Sequence, residues 1–280
     1  LRYDRVIVVD WSGKATPSPA RPGKDAIWAG LCEPDRREES YFRTRAEAAN
    51  WLSARLAEGG RQLIGFDFPM GFPAGFARRL TGRDDARALH GWLERQIVDE
   101  PDNRNNRFEV AGAINARLGG RGPFWGRPMA RAVPHLSAFK DSDHAALGLA
   151  EKRRAECENP PAKPVWQLMG AGSVGSQALL GIPVVHRLAA QTGAAIWPFE
   201  APADLTLAEV YPSLLAAAVR RDGDPIPDRA QVRLLARALL NLSQADRLAP
   251  LLRVPPIAIE EGWILGAGHT RLLEEALGWT

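Results

Sequence analysis

Four carboxylates stand where apolar runs end or helical runs begin: Asp10 closing RVIVVD, Asp67 closing QLIGFD, Glu209 inside AEVYPS and Asp228 in PDRAQV. An acid at the end of an apolar strand is costly to ionise without a cation beside it, because burial favours the neutral form. Several such acids together suit a hard divalent ion, Mg²⁺ or Mn²⁺, which takes oxygen ligands. A pair of these ions can activate water on one side of a phosphodiester and stabilise the leaving oxygen on the other. All four acids are therefore candidate catalytic and metal-ligating residues. Each also has a structural alternative: Asp10 in the Trp11-Ser12-Gly13 turn, Asp67 as an Asx-turn residue before Phe68-Pro69, Glu209 as an arginine partner, and Asp228 in a capping box with Gln231. Asp246, from the same helical region, is a substitute for Asp228.

A second cluster is basic. Between Arg104 and Arg131 lie six arginines (Arg104, Arg107, Arg117, Arg121, Arg127, Arg131) and one acid, Glu109, interleaved with Phe108, Phe124 and Trp125. Arginine beside exposed aromatics suits phosphate tracking and base stacking. The alternative is a solvated arginine-rich loop and helix whose aromatics belong to the core. Together with Ser12 and Lys14, just after Asp10, the residues Arg104, Arg107, Arg121 and Arg127 are the expected substrate contacts, lining a channel above the carboxylates.

The elements that must position these groups are legible in the periodicity. Arg5 to Asp10, Ala26 to Cys32 and Ser40 to Arg43 read as strands, the first as a central one covered on both faces. Gly13 to Asp25, rich in Pro, Gly and basic residues, reads as a mobile loop. Thr44 and Glu47 form a capping box, and Gly59-Gly60 stops the helix they open. Gln62 to Asp67 is the next strand, so Asp10 and Asp67 should emerge on neighbouring strands of an α/β sheet. Residues 71–192 read as a mostly helical insertion, with helical runs at Asp84 to Val98 and near Ser137 to Glu158, dividing a core of residues 1–70 and 193–280. Strands return at Ala194 to Phe199 and Leu205 to Tyr211, a helix runs from Asp228 to about Leu242, EGWILG is a short strand or turn, and Thr270 to Leu277 is a final helix.

Composition excludes several classes. The net charge of +3 is compatible with nucleic acid or phosphorylated ligands without requiring them. Cys32 and Cys157 have neither zinc nor redox spacing, which fits a reducing compartment, and the cytoplasm is the expected location. No leader pattern or bilayer-length apolar stretch occurs, so neither secretion nor membrane insertion is expected.

The order VVDWSG, GFDFPMG, AEVYPS, a late helix opening at Asp228, and EGWILG resembles a family of uncharacterised bacterial proteins predicted to be nucleases with the RNase H fold. The similarity runs over most of the chain and is strongest at its two ends. In RNase H-like nucleases an Asp on the first strand, an acid on the fourth and an acid at the start of a late helix hold two Mg²⁺ or Mn²⁺ ions. The resemblance implies those roles for Asp10, Asp67 and Asp228, an additional acid at Glu209, an RNase H-like mixed sheet flanked by helices, and metal-dependent hydrolysis of nucleic acid. The alternative is a binder, silent or differently catalytic, of a nucleotide or phosphorylated small molecule; similar bacterial proteins carry a label linking them to molybdopterin guanine dinucleotide synthesis.

Two weaker motifs overlap. Gly170, Gly172 and Gly175 satisfy G-x-G-x-x-G before a helical run at Ser176 to Ala190, which would offer a phosphate the helix N-terminus, with Val165 to Met169 as the only strand available ahead of it. The same stretch resembles a degenerate nucleophile elbow around Ser173, with His186 or His269 as its conceivable base.

Overall fold

The computed structural model describes residues 1–278. Its centre is one six-stranded mixed sheet in the order β3-β2-β1-β4-β6-β5. The strands are β1 (Arg5–Asp10), β2 (Ile27–Cys32), β3 (Arg37–Phe42), β4 (Gln62–Phe66), β5 (Ala195–Trp197) and β6 (Leu205–Glu209). The first three form an antiparallel meander, and β4, β6 and β5 continue the sheet parallel to β1. Apart from their polar end residues, β1 (residues 6–9) and β4 (residues 63–66) are apolar because both faces are covered, as parallel strands in α/β proteins usually are.

The pleat sorts alternate residues into two cores. Ile7, Val9, Ile64, Phe66 and Leu207 face one hydrophobic cluster, and Val6, Val8, Leu63, Ala208 and Val210 face the other. The first face is covered by α1 (Arg45–Ala57) and by residues 71–192, which contribute α2 (Phe76–Thr81), α3 (Ala86–Gln96), α4 (Arg107–Arg117) and α6 (Gly175–Thr192); α5 (Arg154–Glu158), from the same segment, buries Ala155 in the second cluster. Phe72, Phe76, Phe124 and Trp166 join the first cluster with ring centroids 4.8–6.0 Å apart, so this segment shares its core with the sheet. The second face carries α7 (Ala216–Asp222), α8 (Pro227–Gln244), α9 (Ala258–Glu261) and α10 (Thr270–Ala276). α8 lies directly on β1 and β2: a Cβ added to Gly30 would come within 2.7 Å of the Val232 carbonyl, so only glycine allows this approach.

Several expectations hold locally. Thr44 and Glu47 form the reciprocal capping box ahead of α1, and Asp85 caps α3. Others need correction. The helix expected near Ser137 to Glu158 reduces to α5; the KDSD stretch supplies short polar side chains that satisfy nearby backbone instead, as Asp143 does for the Ala146 N–H. Val165 to Met169 is not a strand and makes only an isolated bridge between Gln167 and Trp125. Asp228 is not a cap: α8 opens one residue earlier with Pro227 at its first position, leaving Asp228 in the first turn without the Gln231 capping box. The Gly13 to Asp25 loop has no regular structure, yet it is tied down at several points. Arg45 donates to the carbonyls of Ser12 and Lys14, Asn103 to that of Thr16, Arg43 to that of Ser18, and Trp28 to that of Gly23.

Among the described residues no helix is long and apolar enough to cross a membrane.

Candidate active site

Parallel pairing of β1 with β4 sets Val9 opposite Phe66, and the Asp67 N–H donates to the Val9 carbonyl at 2.9 Å. Asp10 and Asp67 are therefore neighbours at the carboxyl ends of two strands about 4.8 Å apart. Both share the parity of Val6, Val8 and Leu63, so the pleat directs them to the face on which α8 lies. Asp228, in the first turn of α8, reaches the same end of the sheet. Its Oδ2 accepts the Asp25 N–H at 2.6 Å, which brings a fourth acid to the group.

Asp25 was not expected from the sequence. It lies at the end of the long loop, in a left-handed conformation with φ of 57°. Its position follows from the anchoring of that loop and from the antiparallel return of β2 beside β1. An acid immediately before a strand antiparallel to β1 was the available signal, because such a return brings the residue back to the Asp10 end.

Burial first, and then like charge, raises the proton affinity of Asp10, Asp67 and Asp228. Burial, followed by the negative charges of Asp67, Asp228 and Asp25, pushes Asp10 well above the usual carboxylate range. Asp67 is pushed up to about 7, mainly by burial and then by Glu209 and Asp228. Asp228 is raised too, again chiefly by burial. Among the described residues no ion pair reaches Asp10, Asp25, Asp67 or Asp228, and the exposed Lys24 acts on Asp228 only at longer range.

Glu209 is arranged differently. It shares the parity of Leu207 and faces the other side of the sheet, where it is 3% exposed. Its Oε1 accepts from Arg153 Nη2 at 2.6 Å, and its Oε2 accepts from Arg153 Nη1 at 2.8 Å and from the Met70 N–H at 2.9 Å. Arg153 is wholly buried and also pairs with Glu156. The Glu209 carboxylate thus joins the Asp67 turn, α5 and β6, and its charge is matched. Asp246 lies beyond the far end of α8, 18 residues from Asp228 and hence about 25 Å along the axis, far from the acids.

Asp10, Asp25 and Asp228 open onto a cavity of about 610 Å³, whereas Asp67 lines a separate small cavity of about 30 Å³ with Glu156 and Glu209. The lining of the larger cavity includes Asp10, Asp25 and Asp228 with Ser12, Lys14, Arg107, Arg131, Ser173 and Ser176. Of the expected substrate contacts, Ser12, Lys14 and Arg107 are here. Arg104 pairs with Asp102 at 2.8 Å outside the cavity, and Arg121 is exposed elsewhere. Arg127 donates to the carbonyls of Leu136, Pro128, Met129 and Arg131, and so secures its own loop. Phe108 and Phe124 are buried, which removes them as stacking platforms. The glycine loop also reaches the cavity through Met169, Gly170 and Ser173. No base accompanies Ser173: His186 is more than three turns along α6 and lines a different cavity, and His269 precedes α10.

Among the described residues no three His, Cys, Asp or Glu side chains form a ready-made metal cage. The acids without ion pairs nevertheless fit a Mg²⁺-type ion, which is commonly held by one or two carboxylates while water and substrate oxygens complete its shell. Asp10 and Asp67 are the pair suited to this, with Asp228 beside them. No family model matches the chain, and no match was found among curated proteins or solved structures.

Proposed function

We propose that this chain is a metal-dependent phosphodiesterase acting on nucleic acid, with an RNase H-like fold and Mg²⁺ or Mn²⁺ as cofactor. One observation carries the proposal: Asp10 and Asp67 end adjacent parallel strands, with Asp228 beside them, and among the described residues none of the three makes an ion pair. The cost of holding these acids together is relieved by a divalent ion, which when bound supplies Lewis acidity and charge neutralisation at a phosphoryl group. The antiparallel meander followed by parallel strands, in the order β3-β2-β1-β4-β6-β5, supports the fold assignment, as does α8 bringing an acid to the carboxyl end of β1.

The chain's own residues divide the work. Asp10 and Asp67 hold the cation and fix its place relative to the sheet, and Asp228 orients water or a third ligand. Arg45 holds the loop after Asp10 through the carbonyls of Ser12 and Lys14, with its charge matched by Asp99 at 2.6 Å. Lys14 and Arg107 offer positive charge to a substrate phosphate in the same cavity. The Arg153 pair with Glu209 keeps the turn beyond Asp67 rigid.

The test is a Mn²⁺ soak combined with nuclease assays on single-stranded and duplex substrates. Mn²⁺ density between Asp10 and Asp67, and hydrolysis abolished by Asp10→Asn, are the expected results. Absence of both metal binding and hydrolysis would overturn the proposal. A second reading, a binder of a nucleotide or phosphorylated small molecule, is favoured by the cavity volume, which lies in the range of about 300–1,000 Å³ typical of small-ligand sites.

A further inference from the structure

The cavity has two chemically distinct sides. Asp10, Asp25 and Asp228 line one, and Lys14, Arg107 and Arg131 the other, without a single ion pair between the two sets among the described residues. Arg131 is matched by Glu109 at 2.6 Å, but Lys14 and Arg107 have no ion pair among the described residues and share the cavity with unpaired acids, an arrangement poised for a ligand that meets both.

Arg107 is the informative member. It is 8% exposed, yet no carboxylate lies within ion-pair distance. Its Nε donates to Ser176 Oγ at 2.8 Å and its Nη1 to Asn105 Oδ1 at 2.7 Å, both neutral acceptors. Its Cζ stands 4.2 Å from the centre of the Phe108 ring. Nη2 makes no hydrogen bond among the described residues. Burial, with the like charges of Arg45 and Arg131, draws its pKa down to about 10, so the fold holds this cation at a cost. Structural buried arginines in the same protein are treated otherwise: Arg45 has Asp99, and Arg153 has Glu156 and Glu209.

The surroundings of Arg107 suit an anion. Ser176 Oγ donates to the Leu168 carbonyl at 2.6 Å, which turns its lone pair toward Arg107 and fixes the guanidinium at the first turn of α6. α6 is 18 residues long and has no side-chain cap; the Gly175 N–H donates to the Gln167 carbonyl at 2.9 Å, and the next N–H groups of its first turn meet no capping side chain. Gly13 brings the loop after Asp10 against this turn, since a Cβ there would stand 2.8 Å from Ser176 Cβ. Lys14 follows on that loop and has no carboxylate partner within ion-pair distance among the described residues.

We propose that Arg107, Lys14 and the first turn of α6 form a phosphate subsite that takes a phosphomonoester, carried by a nucleotide-sized ligand or by the phosphorylated end of an oligonucleotide. Its orientation toward the acids rests on the metal-dependent function proposed above, whereas phosphate binding itself requires no metal. A monoester fits better than an internal diester because its second negative charge answers Arg107 and Lys14 together, and because the cavity has the size of a single nucleotide rather than of a duplex.

The experiment measures binding by calorimetry in EDTA, with a nucleoside monophosphate against its nucleoside, and a 5′-phosphorylated oligonucleotide against its 5′-hydroxyl form. The phosphorylated member of at least one pair should bind more tightly; the nucleoside pair alone would identify a small-molecule source, and the oligonucleotide pair a polymer end. Arg107→Gln should weaken that binding at least about tenfold, as expected for loss of a charge-assisted contact. Lys14→Ala, at an exposed position where folding is not in question, should weaken it by a smaller factor. Asp10→Asn separates this proposal from the metal site: it should tighten phosphate binding in EDTA by removing repulsion, and weaken it in Mn²⁺. Equal binding of phosphorylated and unphosphorylated forms, or unchanged affinity in both Arg107→Gln and Lys14→Ala, overturns the subsite. Phosphate discrimination in EDTA without any Mn²⁺ effect would retain the subsite and refute the metal reading alone.

Discussion

Replacing Asp67 by asparagine should make the metal-free protein more stable at alkaline pH. The substitution preserves shape and the N–H that donates to Val9, and removes only the charge. Burial with Glu209 and Asp228 nearby moves the Asp67 carboxyl from an ordinary 3.8 to about 7. At about 1.4 kcal/mol per unit this is on the order of 4 kcal/mol against the ionised form, and partial solvent contact of the side chain lowers it to about 2–4 kcal/mol. The sign follows from proton counting. Between the unfolded and folded values the native state binds the extra proton, so wild-type stability from this site is fully present below the unfolded value and is lost as pH rises through about 7. Asp67→Asn should therefore exceed wild type by about 2–4 kcal/mol near pH 8.5 and match it near pH 4. Urea unfolding in EDTA at several pH values measures the difference. Adding Mn²⁺ at the alkaline end should stabilise wild type and leave the variant unmoved, because a ligand of the folded state acts by mass action. A variant that is less stable than wild type by the same amount at every pH would refute the reasoning and make Asp67 an Asx-turn residue.

Asp10→Asn should reduce hydrolysis of nucleic acid by orders of magnitude in Mg²⁺ while leaving the unfolding midpoint of the metal-free protein level or higher; unchanged turnover would remove Asp10 from the chemistry. Arg153→Met leaves Glu156 and Glu209 buried without their cation and should cost about 3–5 kcal/mol in chemical denaturation, so a loss below about 1 kcal/mol would show that water reaches the pair. Arg127→Ala frees four carbonyls of its loop and should lower thermal stability, without changing the salt dependence of nucleic-acid binding, whereas Lys14→Ala should flatten that salt slope.

Much of the sheet was written in local pattern. β-branched runs gave β1 and β4, a capping box gave α1, and the acids at the two strand ends marked Asp10 and Asp67, because burial of a strand requires apolar residues up to the point where it emerges. Which face each acid takes was not in the sequence, because both alternations of these strands are apolar; Glu209 falls on the face opposite to Asp67 only because the register pairs it with Phe66. What local pattern did not contain was pairing at a distance. The tertiary structure joined Glu209 to Arg153 across 56 residues, brought Asp25 to Asp228 across 203, and left Arg107 without a carboxylate within ion-pair distance while Arg104 and Arg127 found partners elsewhere. Sequence spacing constrains neighbours along a helix or strand, but the charge that a side chain meets is set by which surfaces the apolar faces draw together. That decision belongs to packing of the whole sheet against α6 and α8, and it separates acids that are matched from those left without an ion pair.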